Sequence, residues 1–304
     1  MIRVFSYGSN GTQQLRARVQ NATLRSRPAK LEGFARIFCL RSAGWGGGGV
    51  ASLHPCPGTT TYGAVVELTE VELERLDQFE GGYSKQWIEA KVRTGEGAEE
   101  TSTVCVYLAN RNTMVVPPTE QYLTAIHLML REHWNMDGEA IEVRSAAAGE
   151  VRVESSWSHP GAANLSLAAF LVEVNAQRSR PWKMPATISE IESKLALAGI
   201  RSSSDLSEAL TAADPATGLN AALERAGRHP FSVETLRIFG KLLDLEEVRG
   251  DGEPKQDDDS RAPSFRFRVG ATAGAGAEDL QLLLVYGSLL SGVSERFQSP
   301  LPVR

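Results

Sequence analysis

The stretch Val4-Phe5-Ser6-Tyr7-Gly8-Ser9-Asn10 constrains this chain more than any other. Its β-branched and aromatic residues predict a strand over 2–7. Gly8-Ser9-Asn10-Gly11 then breaks the strand into a tight loop. A helix is expected from about Gln13 to Val19, with Thr12 as its cap. Such a loop at the mouth of a sheet presents backbone N–H groups that can hold a carboxylate or an oxyanion. Taken alone, Tyr-Gly-Ser-Asn reads as an ordinary strand–turn–helix corner.

A second stretch, Leu76-Asp77-Gln78-Phe79-Glu80-Gly81-Gly82-Tyr83, tips that balance. Between the two lie Gly33-Phe34-Ala35-Arg36-Ile37-Phe38 and Tyr62-Gly63-Ala64-Val65-Val66-Glu67-Leu68. Beyond them follow Val106-Tyr107-Leu108-Ala109 and Pro117-Pro118-Thr119-Glu120-Gln121-Tyr122. Together, and in this order, these segments resemble the γ-glutamylcyclotransferase family. That family opens on a strand ending Tyr-Gly-Ser-Asn. It carries its acid/base carboxylate in a Leu-Asp-x-x-Glu-Gly segment followed by a Tyr. The resemblance covers residues 1 to about 148. Two positions depart from it: Gly11, where the family often has Leu, and Lys85, where Arg is common.

A chain of 304 residues is expected to hold two or more domains. Hydrophobic content of 42% and charged content of 23% are those of a soluble globular protein. A net charge of −5 argues against nucleic acid as the main partner. The sequence contains no run of about 18 apolar residues, so no membrane span is expected. A strand motif also stands where the hydrophobic region of a signal peptide would lie. Cys39, Cys56 and Cys105 are an odd, sparse set that suits a reducing, cytoplasmic setting, and each is expected to be a small buried hydrophobe. With no Cys-x-x-Cys pair and five scattered histidines, no metal site is expected, and the resemblance implies no cofactor.

Strands are predicted at 2–7, 33–40, 49–54, 61–68, 86–93 and 102–109. The glycine run from Gly44 to Gly49 either lets a substrate approach the backbone or forms a tolerant hairpin tip; the resemblance puts it near the pocket, and both readings stand. Thr69 and Glu72 form a capping box for a helix through Leu76, with Val71, Leu73 and Leu76 facing the core. A helix over 119–134 places Tyr122, Ile126, Met129 and Leu130 on one face. Composition shifts near Ser145–Gly149. A helical module is expected over 150–248, with helices at 165–177, from Thr187 (again a capping box), 204–212, 218–226 and 232–246. Leu195 and Leu197 belong to its apolar faces. Leu206, Leu210, Leu219, Leu223, Leu236, Ile238, Phe239, Leu242 and Leu243 are its expected core. A protein partner is the default role for such a module. An acidic and Gly-rich linker is read at 249–279. Leu284-Val285-Tyr286-Gly287-Ser288 within 280–304 then reads either as the start of a second, incomplete unit of the first kind or as a coincidence in an apolar tail.

The resemblance implies an intramolecular aminolysis. The α-amine of a γ-glutamyl group attacks its own γ-carbonyl, 5-oxoproline forms, and the attached amine or amino acid departs. Proximity is supplied by the substrate itself. The protein must supply a base, because an α-ammonium with a reference pKa of about 8 is mostly protonated near pH 7. Glu80 matches the family's catalytic carboxylate. It follows a helix end, with Gly81-Gly82 giving the backbone room to turn and Phe79 and Tyr83 expected to shield it. Against this stands the commonest fate of Glu, a solvated surface position. Glu67, Glu70 and Glu89 fit strand faces or caps, and Asp77 is expected to bond local backbone N–H groups. By the resemblance, Tyr7, Gly8, Ser9 and Asn10 cradle the γ-glutamyl group. Tyr7, Tyr83 and Tyr107 either place hydroxyls at the pocket or are bonded core tyrosines.

The expected fold is α+β: a γ-glutamylcyclotransferase-like mixed, barrel-like sheet with flanking helices over 1–148, then a small all-α module and a flexible tail. The expected function is a γ-glutamylcyclotransferase in the lyase and transferase sense, acting on a small γ-glutamyl peptide or amino acid. Two alternatives remain. One is a cyclotransferase acting on γ-glutamylamines or on glutathione. The other is a non-catalytic scaffold that binds a metabolite.

Overall fold

The computed structural model describes residues 1–95, 97–110, 115–147, 150–182, 186–212, 218–248 and 266–269. Five strands form the central sheet: β1 (Ile2–Ser6), β2 (Ser26–Arg41), β3 (Gly49–Leu68), β4 (Tyr83–Arg93) and β5 (Glu99–Ala109). They lie in the order β1–β3–β2–β4–β5, and the sheet closes on itself. The closure is slender. β1 meets β5 in parallel at Val4–Cys105, while all other pairings are antiparallel. β2 meets β4 only at Ala29–Val92 and Lys30–Lys91. Three helices accompany the sheet: α1 (Thr12–Val19), α2 (Glu70–Asp77) and α3 (Glu120–Trp134).

The strands expected at 49–54 and 61–68 are one strand. Pro55 and Pro57 interrupt the sequence pattern, but here β3 pairs only with β2, because β1 joins it at 64–68. Proline is tolerated on such an unpaired edge because no ladder partner needs its missing N–H. β2 is likewise longer than expected and absorbs its mismatch with β3 in register shifts at Glu32/Phe34 and Phe38/Leu40. α1 begins one residue earlier than expected. Gly11 occupies the cap position, and the Thr12 hydroxyl instead reaches Ser26 and Glu132. The Thr69–Glu72 capping box forms as expected. Leu73 and Leu76 are buried, but Val71 is 56% exposed and does not face the core. Cys39 and Cys105 are buried, whereas Cys56 is only half-buried and accepts from Thr59 on the free edge of β3.

An antiparallel pair of β6 (Ile141–Ala147) and β7 (Glu150–Trp157) follows, so a boundary at 148 falls between two paired strands. Ala146 and Val151 of the pair pack on Ile37 and Cys39 of β2. The helical layer comprises α4 (Leu167–Gln177), α5 (Ala186–Leu197), α6 (Ser203–Thr211), α7 (Leu219–Arg225) and α8 (Val233–Leu242). α4 lies along α3, and its Val172 enters the core of the barrel. The opposite side of α4 carries Leu171 and Val174 into a separate core with Leu206, Leu223 and Phe239. Thr187 lies inside α5 rather than capping it, and Leu197 is 57% exposed. α8 ends at Leu242 and gives way to β8 (Leu245–Val248).

β8 pairs with β9 (Arg266–Val269), which lies inside the stretch read as linker. Phe267 of β9 is 6% exposed and belongs to the helical core. Its alternation of Arg266, Phe267, Arg268 and Val269 carries the period of a half-buried strand within a stretch whose composition reads as linker. The recurrence of Tyr-Gly-Ser at 286–288 lies outside the described residues. No described helix is long and apolar enough to cross a membrane.

Candidate active site

A cavity of about 290 Å³ opens at the end of β1, where the strand turns into the Gly8–Asn10 loop. All seven residues singled out from the sequence line it: Tyr7, Gly8, Ser9, Asn10, Glu80, Tyr83 and Tyr107. Ser42, Gly44 and Trp45 form part of its wall, so the glycine run does border the pocket.

The loop is held by its own polar groups. Ser6 Oγ donates to the Asn10 carbonyl at 2.6 Å, and the Gly11 N–H donates to the Ser9 carbonyl at 2.8 Å. Arg36, 9% exposed, donates from Nε to the Tyr7 carbonyl and from Nη2 to the Tyr62 carbonyl, each at 2.7 Å. Burial pulls its guanidinium down to about 10. Since the Tyr7 carbonyl points at Arg36, the Gly8 N–H on the same planar trans peptide points the opposite way. Gly8 is required by close approach. A Cβ there would lie 2.7 Å from the Tyr122 hydroxyl oxygen. That hydroxyl accepts from the Ala51 N–H at 2.9 Å.

Glu80 sits just past the C-terminal end of α2. Its N–H donates to the Asp77 carbonyl and its carbonyl accepts from the Tyr83 N–H, at 3.2 and 3.1 Å. Gly82 makes this turn possible with a φ of +92°, a region few side chains adopt. The Glu80 side chain is 11% exposed. Its Oε1 accepts from Asn10 Nδ2 at 3.0 Å and from Arg18 Nη1 at 3.1 Å. Arg18 Nη1 also donates to Asn10 Oδ1 at 2.8 Å, so Asn10, Glu80 and Arg18 form one triangle. Phe79, expected to shield Glu80, is instead 50% exposed and lies under the Arg18 guanidinium, 5.0 Å from ring centroid to Cζ. Burial pulls the Arg18 guanidinium down, opposed by the Glu80 charge.

The tyrosines are bonded donors. Tyr7 donates to the Tyr107 carbonyl, Tyr83 to the Ala51 carbonyl at 2.9 Å, and Tyr107 to Asp77 Oδ1 at 2.6 Å. Burial pushes the hydroxyls of Tyr7, Tyr83, Tyr107 and Tyr122 above the usual tyrosine range. They stay protonated near neutral pH and cannot serve there as bases. Asp77 does not bond local backbone N–H groups as expected; it takes Lys85 at 2.7 Å and Tyr107. Burial raises its carboxyl, but these two partners hold it below the usual range. Glu67 pairs with Arg3 and Arg27 away from the cavity, and Glu89 is exposed on β4. Among the described residues lining the cavity, Glu80 is therefore the one carboxylate, with no His, Cys or Lys beside it.

Arg18 and Tyr122 were not read from the sequence as site residues. Arg18 has a signal in hindsight. It follows Gln14 by one helical turn on the first helix after the loop, so both share the face that looks back at residues 8–10. With its amide oriented to satisfy both ends, Gln14 donates to the Ser9 carbonyl and accepts from Arg18. Tyr122 was read only as a core position of α3. Among the described residues no cluster of three or more His, Cys, Asp or Glu has the arrangement of a metal site.

Residues 4–145 match the family described as "Gamma-glutamyl cyclotransferase, AIG2-like". The γ-glutamylcyclotransferase of Bos taurus is 33% identical over 136 residues, which span 42% of this chain and 70% of that protein. The enzyme of that name from Homo sapiens is 32% identical over the same shares. A solved structure titled "Gamma-glutamyl cyclotransferase" aligns with 44% of this chain and 80% of its own, at 30% identity and a TM-score of 0.38. On its matching residues and its share of those relatives, this chain belongs to the γ-glutamyl cyclotransferase, AIG2-like family.

Proposed function

We propose that this protein releases 5-oxoproline from a γ-glutamyl amino acid or peptide, with Glu80 as the single acid/base group. The observation that carries the reading is the isolation of Glu80. Among the described residues it is the one carboxylate lining a cavity whose other polar groups are backbone amides, two arginines, Asn10, serines and protonated tyrosines.

Glu80 takes a proton from the substrate α-ammonium, and the freed lone pair attacks the γ-carbonyl carbon. A C–N bond closes the five-membered ring, and negative charge develops on the carbonyl oxygen. The backbone N–H groups of the Gly8–Asn10 loop are the donors available to that oxygen; loss of one such donor typically costs about 10²–10³ in rate. The bond to the leaving nitrogen then breaks as protons pass to it. Of the three protons on the ammonium, one stays on the lactam nitrogen and two end on the departing amine. One carboxylate serves for uptake and return. The reading also places the protein in the cytoplasm, in keeping with its three free cysteines.

The test offers a panel of γ-glutamyl dipeptides, γ-glutamylamines and glutathione, with 5-oxoproline detected by mass spectrometry. Production from a γ-glutamyl dipeptide is expected. Production from the amines or glutathione alone would move the assignment to those substrates. No 5-oxoproline from any of them would overturn it.

A further inference from the structure

A second cavity of about 360 Å³ lies behind the active-site loop, between α1, α3 and α4. Its floor is apolar, from Leu128 and Met129 of α3 and Val172 of α4. Its charged groups are of both signs. Arg16 donates from Nε to the Leu24 carbonyl at 2.8 Å, and among the described residues no carboxylate pairs with it. Glu132 is 48% exposed, accepts from Thr12 at Oε1 at 2.7 Å, and has Oε2 3.6 Å from His133 Nε2. Arg131, also at the cavity, is already engaged by Glu173 at 3.3 Å. A cation without a carboxylate partner among the described residues, a half-exposed carboxylate and an aliphatic floor in one cavity complement a zwitterion with an apolar side chain.

Gly11 helps keep this space open. Its φ of −66° and ψ of 166° are extended backbone that any residue adopts. A Cβ there would meet only Met129 Cβ, at an ordinary 3.8 Å. Neither conformation nor packing demands glycine at this position, so a larger side chain would fill the cavity without strain.

The two cavities touch through two residues. Ser9 lines both. Gln14 lines the second, donates to the Ser9 carbonyl at 2.8 Å, and accepts from Arg18 at 2.6 and 3.2 Å. Arg18 in turn holds Glu80. We infer that the second cavity is an effector site for a free amino acid with an aliphatic side chain. Arg16 takes its carboxylate, Glu132 its ammonium, and Leu128, Met129 and Val172 its side chain. An occupant that shifts Gln14 shifts the cation on the base. This coupling rests on the function proposed above, whose reaction itself releases an amine or an amino acid.

The test titrates L-leucine into the full chain by calorimetry, with leucinamide, which lacks the carboxylate, as the second probe. Saturable binding is expected for L-leucine, weakened at least about tenfold, or 1.4 kcal/mol, in Gly11→Leu and in Arg16→Gln. Arg16 is part-buried, and Arg16→Gln leaves the backbone at Gly11 untouched, so it keeps the test decisive should Gly11→Leu disturb the fold. Absence of saturable binding, equal affinity in both variants, or equal binding of leucinamide would overturn the site. Where 5-oxoproline release is measurable, saturating L-leucine should change kcat or KM by at least about twofold. An unchanged rate would overturn the coupling. Binding of L-leucine by a chain that turns over no γ-glutamyl compound would support the site while removing the proposed function, so the two failures are distinct.

Discussion

In the barrel, Asn10, Arg18, Glu80 and Tyr83 turn toward one cavity and bond each other or the backbone that lines it. In α6 and α8 the comparable polar side chains are spent on helix ends. Ser202 and Asp205 form a capping box, and Ser232 caps α8. The interior beneath them is Leu206, Leu223, Leu236 and Phe239. The two regions are built from residues of similar polarity but aim them differently. Convergence of polar groups on a shared space, rather than their number, distinguishes a site from a scaffold. Among its described residues, the helical layer buries a charged side chain, Glu173, at its seam with the barrel. There Glu173 of α4 faces His159 at 3.0 Å and Arg131 of α3. That seam, and the second cavity beside it, tie the layer to the barrel.

The largest expected effect sharpens this contrast from the helical side. Phe239 is fully buried and packs edge-on against Phe231 at 5.2 Å between ring centroids. Phe239→Ala should cost about 3–5 kcal/mol of stability in denaturant unfolding. Turnover per folded molecule should stay within about twofold. A far larger loss of turnover would show that the helical layer shapes the active site directly and would break the comparison.

The next effect comes from the barrel. Arg18→Lys keeps the charge but loses the planar fork that reaches Asn10, Gln14 and Glu80 at once. Misplacement of the base should lower kcat about tenfold to a hundredfold, or about 1.4–2.7 kcal/mol. KM and unfolding temperature should change little. Unchanged kcat would mean that the triangle does not position Glu80.

The smallest effect belongs to the seam. His127 of α3 stacks on His159, lies edge-on to Trp157, and has Asp137, Arg131 and Glu173 around it. Burial, with the neighbouring His159 and Arg131, holds its imidazole below the usual value. Burial does the same to His133. A histidine with a depressed folded value stays neutral in the folded chain and takes up its proton more readily when unfolded. Stability should therefore hold above about pH 6.5, the unfolded value, and fall as pH drops below it. His127→Gln should flatten part of that fall in the unfolding temperature. An identical pH profile in the variant would remove His127 from the account.

The strand, the loop and the place of Glu80 at the cavity were legible because each rests on residue types with narrow roles. Gly8 permits the approach of Tyr122, Gly82 the left-handed turn, and Glu80 follows a helix that ends where its pattern ends. Arg18 was harder to read, since two arginines, Arg16 and Arg18, in the last turn of a short helix have the sequence pattern of a solvated face. The continuity of β3 through Pro55 was hidden because edge position, which excuses proline, is a property of the assembled sheet. Val71 and Leu197 obey helical periodicity and still lie outside their cores, because periodicity gives a face and not what covers it. β9 was hidden by the composition on either side of it.

The central claim is that Glu80 alone moves the proton, and Glu80→Gln tests it most directly. The amide keeps the side chain's size and its oxygen for Asn10 and Arg18, and it removes only proton uptake. The account predicts that 5-oxoproline production falls at least about a hundredfold in kcat. Binding of an unreactive γ-glutamyl analogue should stay within a few-fold, and Glu67→Gln and Glu89→Gln should run near the normal rate. Near-normal turnover by Glu80→Gln would contradict the account and remove this residue as the base.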